Sequence, residues 1–211
     1  MSGSLDLIVG PMRGGKSTEL YRRLNQHADL NLKVLLINSR IGERKESDGV
    51  RSSGSCSSHN GGFYGLHGKI DVVSGFSLKE FDGIVKDYDA IGIDEFQFFD
   101  DKEIANVVWS WVYNHDLFVT VAGLNGDSDQ KLFGKISDLT RFCTSITHVT
   151  AICEDCLEEG KKIGKHIRTS APYTIRRDLS RAKIEIGATG YICVCLKHLK
   201  IHHKSANNEK I

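Results

Sequence analysis

Short runs of apolar residues alternate along the chain with segments of helical periodicity. The apolar runs cover residues 5–9, 33–38, 70–73, 90–93 and 117–122, and each has the length of a buried strand. The segments at 19–24, 78–88 and 101–114 place apolar residues on one face, as an amphipathic helix does. Because strands that alternate with helices form βαβ units, the pattern predicts an α/β fold with a parallel sheet flanked by helices.

Other parts of the chain lack this alternation. Residues 42–68 are rich in Ser and Gly without periodicity, which is typical of a loop. Residues 150–200 are basic, cysteine-bearing and not periodic, and we interpret them as a small second module after a main domain at residues 1–149. The polar residues 201–211 are predicted to form a disordered tail.

Composition limits the partners and the location. The chain has 211 residues and a net charge of +1, which gives no electrostatic reason to expect binding to nucleic acid or to a membrane. No apolar run approaches the ~20 residues that span a bilayer, and the N-terminal residues show no signal-peptide pattern. We therefore expect a cytoplasmic protein, in which the six cysteines suit metal binding better than disulfides.

A glycine-rich turn, GPMRGGKST, joins the first predicted strand to the first helix. This phosphate loop (residues 10–18) fits the pattern G-x-x-x-x-G-K-[ST] in the strand–helix context that the pattern requires. Backbone N–H groups and the helix N-terminus bind phosphates, Lys16 reaches the β- and γ-phosphates, and the Ser17 hydroxyl suits Mg²⁺. The predicted ATP site comprises Gly10, Pro11, Met12, Arg13, Gly14, Gly15, Lys16, Ser17 and Thr18.

Two adjacent acids, Asp94 and Glu95, follow the apolar run at 90–93. Because neighbouring side chains on a strand point to opposite faces, the two carboxylates cannot serve the same purpose. Asp94 suits the Mg²⁺ shell opposite Ser17, as the second acidic motif of phosphate-loop proteins does. Glu95 then suits a general base that acts on a substrate hydroxyl.

The residues after Glu95 are candidates for contact with a substrate. Phe98 lies where its ring can stack on a planar base, whereas Phe99 is better explained by core packing. Gln97 has an amide that either contacts a ligand or caps the turn, and the sequence leaves both alternatives open.

Four residues near the end of the chain have the spacing of zinc ligands. Cys153-x-x-Cys156 and Cys195-x-x-His198 supply four ligands on two turns, enough for a closed, structural Zn²⁺ site. Cys193 is a rival ligand, although C-x-C is the poorer zinc turn, and buried free thiols are the other alternative. The spacing favours a small module that zinc stabilises.

These motifs, in this order, resemble the thymidine kinases of the cellular and poxviral type. The resemblance rests on GPMRGGKSTEL, IGIDEFQFF, the turn GLNG with the later Phe133-Gly134, and the C-x₂-C…C-x₂-H module, and it extends over residues 5–199. It implies a phosphate-loop domain with a zinc-binding lasso module that closes over a nucleoside. It also implies transfer of the ATP γ-phosphoryl group to the thymidine 5′-hydroxyl, with Glu95 as proton acceptor.

The resemblance further implies a nucleoside pocket, homotetramers, and feedback inhibition by dTTP. Gln97 is grouped with Asp94 at the ATP and Mg²⁺ end of the site. The residues that match the family's pocket and lasso are Met12, Arg44, Phe98, Leu124, Ser128, Phe133, Ile184, Ile186, Gly187 and Tyr191. The chain departs from the family pattern at Arg13, at Ser128 (usually Phe), at Asn60 (often Asp) and in a lasso one residue shorter.

Two other functions are consistent with the same motifs. A P-loop ATPase that remodels a partner would use the zinc module for binding, but it would need a basic stripe that a net charge of +1 does not favour. A nucleotide sensor without kinase activity is the other alternative, motivated by Ser128 and by the short lasso. Phosphorylation of an added nucleoside distinguishes the kinase from both.

Overall fold

The computed structural model describes residues 2–41, 55–57, 63–66, 69–177 and 190–208, and within these ranges it contains one six-stranded parallel sheet. In chain order the strands are β1 (Ser4–Gly10), β2 (Val34–Ser39), β3 (Ser55–Ser57), β4 (Phe63–Gly65), β5 (Ile70–Gly75), β6 (Ala90–Asp94), β7 (Phe118–Leu124), β8 (Ser145–His148), β9 (Ala151–Ile152), β10 (Ser170–Ala171), β11 (Tyr173–Arg176) and β12 (Tyr191–Val194). The helices are α1 (Lys16–Asp29), α2 (Ile104–His115), α3 (Glu154–Lys162) and α4 (Leu196–Asn208). The main sheet has the order β5-β2-β6-β7-β1-β8, which confirms the predicted α/β fold.

Apolar side chains pack on both faces of this sheet. On one face, Leu20 and Leu24 of α1 are fully buried against strand residues such as Leu36. On the other face, Trp111 of α2 and Phe99 belong to the larger core cluster. Each fully buried side chain of this size contributes roughly 1.5–3 kcal/mol relative to an exposed one, so both faces stabilise the sheet.

The strand order brings the predicted chemistry to one edge of the sheet. β7 pairs with β6 on one side and with β1 on the other, all in parallel. The carboxyl ends of these neighbours therefore lie together, which is where open α/β sheets bind ligands. The phosphate loop follows β1, and the two acids lie at the end of β6.

The second module, defined from here on as residues 150–208, has a small core of its own. β9 pairs with β10 and β11 with β12, each antiparallel, and α3 and α4 pack beside them. Its buried residues include Ala171, Ile192 and Leu199, and Met12 of the phosphate loop packs against this cluster. The predicted division of the chain at about residue 150 stays a prediction, although the separate core supports it.

The structure corrects several predicted elements. Residues 78–88 form two 3₁₀ turns, Leu78–Phe81 and Val85–Asp87, because Gly83 between them disfavours a continuous helix. Strand β8 was not predicted because its sequence, SITH, is mostly exposed at the edge of the sheet and forms no apolar run. Residues 42–68 are not loop throughout, since β3 and β4 form an antiparallel pair there.

The predicted disordered tail from residue 201 is wrong as far as residue 208. Helix α4 continues to Asn208. His202 Nε2 lies 2.8 Å from Asp155 Oδ2, so this part of the helix is held against α3 rather than extending into solvent. In the part of the chain that the structure describes, no helix combines the length and the apolar character that crossing a membrane requires.

Candidate active site and metal site

The phosphate loop turns around the ammonium group of Lys16. Lys16 Nζ donates a hydrogen bond to the carbonyl oxygen of Pro11 at 2.8 Å, and the side chain is only 7% exposed. Gly15 has a φ of 84°, a left-handed conformation that glycine adopts without steric cost, and α1 begins immediately after it. The free N–H groups of the first turn of α1 therefore lie at the loop, as an anion site requires.

Asp94 is buried at the end of β6 and contacts the start of α1. Its carboxylate accepts hydrogen bonds from the Ser17 hydroxyl and, at 3.3 Å, from the Tyr21 hydroxyl. Burial, followed by the charge of Glu95, raises the pKa of Asp94 to about 6. A hydroxyl and a buried carboxylate beside Lys16 are the oxygen donors that Mg²⁺ prefers, so the residues fit this ion.

The charges of both acids affect the pKa of Lys16. Burial lowers the pKa of Lys16, while the charges of Glu95 and Asp94 oppose that shift. Glu95 has a φ of 52°, which turns the chain sharply from β6 into the 3₁₀ turn Phe96–Phe98. A non-glycine residue in this conformation costs roughly 1–2 kcal/mol, and its surroundings must hold it there.

Gln97 contacts Glu95, as expected if its amide caps the turn, while its contact with a ligand stays a prediction. Its Nε2 donates a hydrogen bond to Glu95 Oε2, and its Oε1 accepts one from the backbone N–H of Leu124 at 3.0 Å. The side chain is 5% exposed and joins the end of β6 to the end of β7. Gln97 therefore binds the protein itself at this turn.

The predicted pocket residues that the structure describes are all half-buried. They are Met12, Phe98, Leu124, Ser128, Phe133 and Tyr191. Phe98 and Phe133 pack edge to face, with ring centroids 5.9 Å apart. Phe99 is 1% exposed within the core, as expected.

The remaining predicted pocket residues are outside the described ranges. They are Arg44, Ile184, Ile186 and Gly187, together with the departure at Asn60. Their assignments stay predictions.

Cys153, Cys156, Cys195 and His198 converge in the second module. Their ligand atoms all lie within 4.8 Å of one another and all four residues are buried. Cys156 Sγ is 3.8 Å from Cys195 Sγ and 3.5 Å from His198 Nδ1. Ligand atoms around a tetrahedral Zn²⁺ are about 3.5–3.8 Å apart, so this cluster fits zinc.

Two residues beside the cluster bear on which side chains are its ligands. His198 Nε2 lies 3.0 Å from Glu159 Oε1, the kind of contact that orients a metal-binding imidazole. The rival ligand Cys193 points elsewhere, because its Sγ donates a hydrogen bond to the carbonyl oxygen of Met12 at 2.8 Å. The four predicted ligands are thus together and Cys193 is not among them.

Sequence reasoning missed the residues that connect the phosphate loop with the second module. Thr174 Oγ1 accepts a hydrogen bond from the N–H of Met12 at 3.0 Å, and Glu154 Oε1 lies 2.6 Å from Arg13 Nη1. No pattern marks these partners, since 162 and 141 positions separate them along the chain. The unusual arginine in the phosphate loop was the one available signal.

Known proteins are similar to this chain over most of its length. The thymidine kinase family model matches residues 3–199. The thymidine kinase of Amsacta moorei entomopoxvirus is 32% identical over 193 residues, which are 91% of this chain and 95% of that protein. Thymidine kinase a of Arabidopsis thaliana is 32% identical over 96% of this chain and 77% of its own length. The cytosolic thymidine kinase of Cricetulus griseus is 32% identical over 92% of this chain and 71% of its own length.

Proposed function

The chain belongs to the thymidine kinase family, and we propose that it transfers the γ-phosphoryl group of ATP to the 5′-hydroxyl of thymidine, giving dTMP for DNA synthesis. One observation supports this most: Ser17 of the phosphate loop donates a hydrogen bond to the carboxylate of Asp94, which directly precedes Glu95. A phosphate site after β1 and two carboxylates at the end of β6, on either side of β7, are what phosphoryl transfer to a hydroxyl requires. Membership of the family makes the chain a nucleoside kinase.

ATP binds at the phosphate loop in this proposal. The loop backbone and the start of α1 bind the phosphates, and Lys16 contacts the β- and γ-phosphates. Ser17 and Asp94 would hold Mg²⁺, which would neutralise negative charge on the phosphates. Because Lys16 is already oriented by Pro11, little reorganisation is needed when ATP arrives.

Glu95 accepts the proton of the nucleoside hydroxyl. As the hydroxyl oxygen attacks the γ-phosphorus, its proton passes to the Glu95 carboxylate, the bond to the β-phosphate oxygen breaks and ADP leaves. The hydrogen bond from Gln97 holds the carboxylate in one orientation for this step. Positioning of this kind contributes much of the catalysis in phosphoryl transfer.

The thymine ring binds between the phosphate loop and the second module. The rings of Phe98 and Phe133 line one side of this proposed pocket, and Met12 and Leu124 add apolar side chains to it. Ser128 stands at the position where the family usually has a phenylalanine. Tyr191, Arg44 and the lasso residues Ile184, Ile186 and Gly187 complete the proposed set.

The cysteine cluster supports the proposal of one structural Zn²⁺ per chain. Cys153, Cys156, Cys195 and His198 would fill all four positions, so the metal stabilises the module and takes no part in phosphoryl transfer. We further propose a cytoplasmic homotetramer that dTTP inhibits, with neither nucleic acid nor membrane as a partner.

A nucleoside panel tests the function. Purified protein with ATP and Mg²⁺ is expected to convert thymidine to dTMP, and Glu95→Gln is expected to lower kcat about 10²–10⁴-fold while ATP still binds. Asp87→Asn, which removes an exposed carboxylate outside the site, serves as the matched control. ATP hydrolysis without a phosphorylated nucleoside would favour the P-loop ATPase, and dTTP binding without any product would favour the nucleotide sensor.

A further inference from the structure

Arg13 lies in the phosphate loop, but its guanidinium contacts the second module. Arg13 Nη1 is 2.6 Å from Glu154 Oε1, and both side chains are partly buried, with 31% and 23% exposed. Arg13 also has a φ of 56°, so the loop backbone turns where the side chain leaves it. A cation in a phosphate loop ordinarily suggests contact with the triphosphate, and here a carboxylate neutralises it.

Glu154 joins both halves of the second module to Arg13. It is the first residue of α3, directly after the metal ligand Cys153. Its Oε1 also accepts a hydrogen bond from the N–H of Cys193 at 3.2 Å, on the strand that leads to Cys195. Its Oε2 accepts one from Arg177 Nη2 at 3.1 Å. The position of this carboxylate therefore depends on the segments that carry the two ligand pairs.

Met12, the neighbour of Arg13, is held by the same module. Its N–H donates to Thr174 Oγ1 at 3.0 Å, and its carbonyl oxygen accepts from Cys193 Sγ at 2.8 Å. Both polar backbone groups of Met12 are thus bonded to β11 and β12. The conformation of the phosphate loop at residues 12 and 13 is consequently set by contacts outside the main domain.

We propose that Arg13 and Glu154 are positioning residues that couple the second module to the phosphate loop, so that ATP binds tightly only when the module is folded. The inference rests on the proposed function only in taking the loop as the ATP site. Neither residue touches the reacting atoms. Because coupling between two binding events is reciprocal, bound ATP also stabilises the module and raises its affinity for a metal.

The direct alternative is that Arg13 leaves Glu154 and contacts the phosphates of ATP. The two explanations differ in what Glu154→Gln does. If Arg13 acts through the ion pair, Glu154→Gln and Arg13→Gln weaken ATP binding to a similar degree, and the double variant is no worse than either. If Arg13 contacts phosphate, Glu154→Gln releases it and leaves ATP binding unchanged or tighter.

Calorimetric titration of ATP, with zinc content and thermal unfolding recorded for each protein, tests the proposal. Both single variants are expected to raise the Kd for ATP roughly 5- to 20-fold, within the usual range of coupling between sites. Arg22→Gln is the matched control, because Arg22 is exposed on α1 and donates hydrogen bonds to Glu19 and Gln26 of the same helix. The charge-reversed pair Arg13→Glu with Glu154→Arg is expected to recover part of the affinity.

A second measurement uses the unaltered protein, in case a single variant does not fold. In equilibrium competition with a chromogenic chelator, the affinity of the protein for zinc is expected to be higher, by a similar factor, when ATP is present. Equal ATP affinity in all variants, or a zinc affinity that ATP does not change, overturns the coupling and leaves the kinase proposal standing. Absence of ATP binding by the unaltered protein overturns both.

Discussion

The side-chain amide of Gln97 donates a hydrogen bond to the carboxylate of Glu95 and, through its oxygen, accepts one from the N–H of Leu124. One buried side chain thus ties the proposed catalytic base at the end of β6 to the end of β7. The left-handed turn at Glu95 makes this support necessary, because that backbone conformation is unfavourable for a glutamate.

Replacement of Gln97 should therefore affect the rate more than substrate binding. Gln97→Met keeps the approximate size of the side chain but removes both hydrogen bonds. We expect kcat to fall about 10- to 100-fold, since small displacements of a catalytic group have effects of that order, with little change in the KM for ATP. Steady-state kinetics with thymidine and ATP measure the difference.

The same substitution leaves the N–H of Leu124 without its partner, which should cost about 1–3 kcal/mol of stability. Gln26→Met on the exposed face of α1 is the matched control and should change neither quantity. A destabilised Gln97→Met variant that keeps its full kcat would show that Gln97 supports only the fold.

The raised pKa of Asp94 predicts that Mg²⁺ binding weakens in mild acid. Burial and the charge of Glu95 bring this pKa to about 6, well above the ordinary value for aspartate, so the carboxyl is ionised above pH 6 and protonated below it. Since Mg²⁺ requires the ionised form, its apparent affinity should fall about tenfold per pH unit below that value. Mg²⁺ dependence of the rate at pH 5, 6, 7 and 8 measures this.

Asp94→Asn separates this effect from protonation of ATP itself. The variant should bind Mg²⁺ more weakly at pH 8 and should show only the pH dependence that the nucleotide contributes. If the Mg²⁺ affinity of Asp94→Asn falls with decreasing pH as steeply as that of the unaltered protein, another group causes the pH dependence.

Zinc content should distinguish the four cluster residues from the neighbouring thiol. Cys153→Ser and His198→Ala each remove one of four ligands and should lose the metal and much of the stability of the second module. Cys193→Ser should retain one zinc per chain, because the Cys193 thiol contacts the Met12 carbonyl and a serine hydroxyl can also donate to it. Metal analysis and thermal unfolding check each variant.

Glu159 offers a finer test of the same cluster. Loss of its contact with His198 in Glu159→Gln should weaken zinc affinity about 10- to 100-fold, as substitution of such orienting partners does elsewhere. Competition with a chelator of known affinity gives the value. Cleanly folded protein without zinc would contradict the assignment of the cluster, and zinc loss in Cys193→Ser would assign a different ligand.

What the sequence predicts well here is chemistry carried by local spacing. Three motifs each consist of residues a few positions apart: the phosphate loop, the acid pair at the end of β6 and each ligand pair of the metal cluster. The structure has each of them at the place that its pattern predicts. The apolar runs of the inner strands were equally clear, because burial on both faces leaves no polar alternation to interpret.

The contacts that join distant segments were not predictable in this way. Arg13 and Glu154 carry no shared pattern, and only the fold brings the phosphate loop and α3 together. Edge strand β8 was missed because an exposed edge strand needs few apolar residues. The end of α4 was missed because it is held by a contact between His202 and Asp155, which are far apart in the sequence. These elements depend on tertiary contacts that a single sequence does not display.

Gly134 provides a last prediction, since its backbone supports the turn that holds the base. Gly134 has a φ of 68°, and a Cβ there would lie 2.6 Å from Gln97 Cα. Gly134→Ala should therefore destabilise the protein by about 1–3 kcal/mol and lower kcat, because relief of the clash moves Gln97 and with it Glu95. Two glycines provide controls: Gly164 has a φ of 65° with no atom within 4 Å of such a Cβ, and Gly83 has open space without that φ. Gly164→Ala measures the cost of the left-handed backbone alone, and Gly83→Ala should be neutral. If Gly134→Ala is as stable as Gly164→Ala and keeps its full kcat, Gly134 does not act through Gln97.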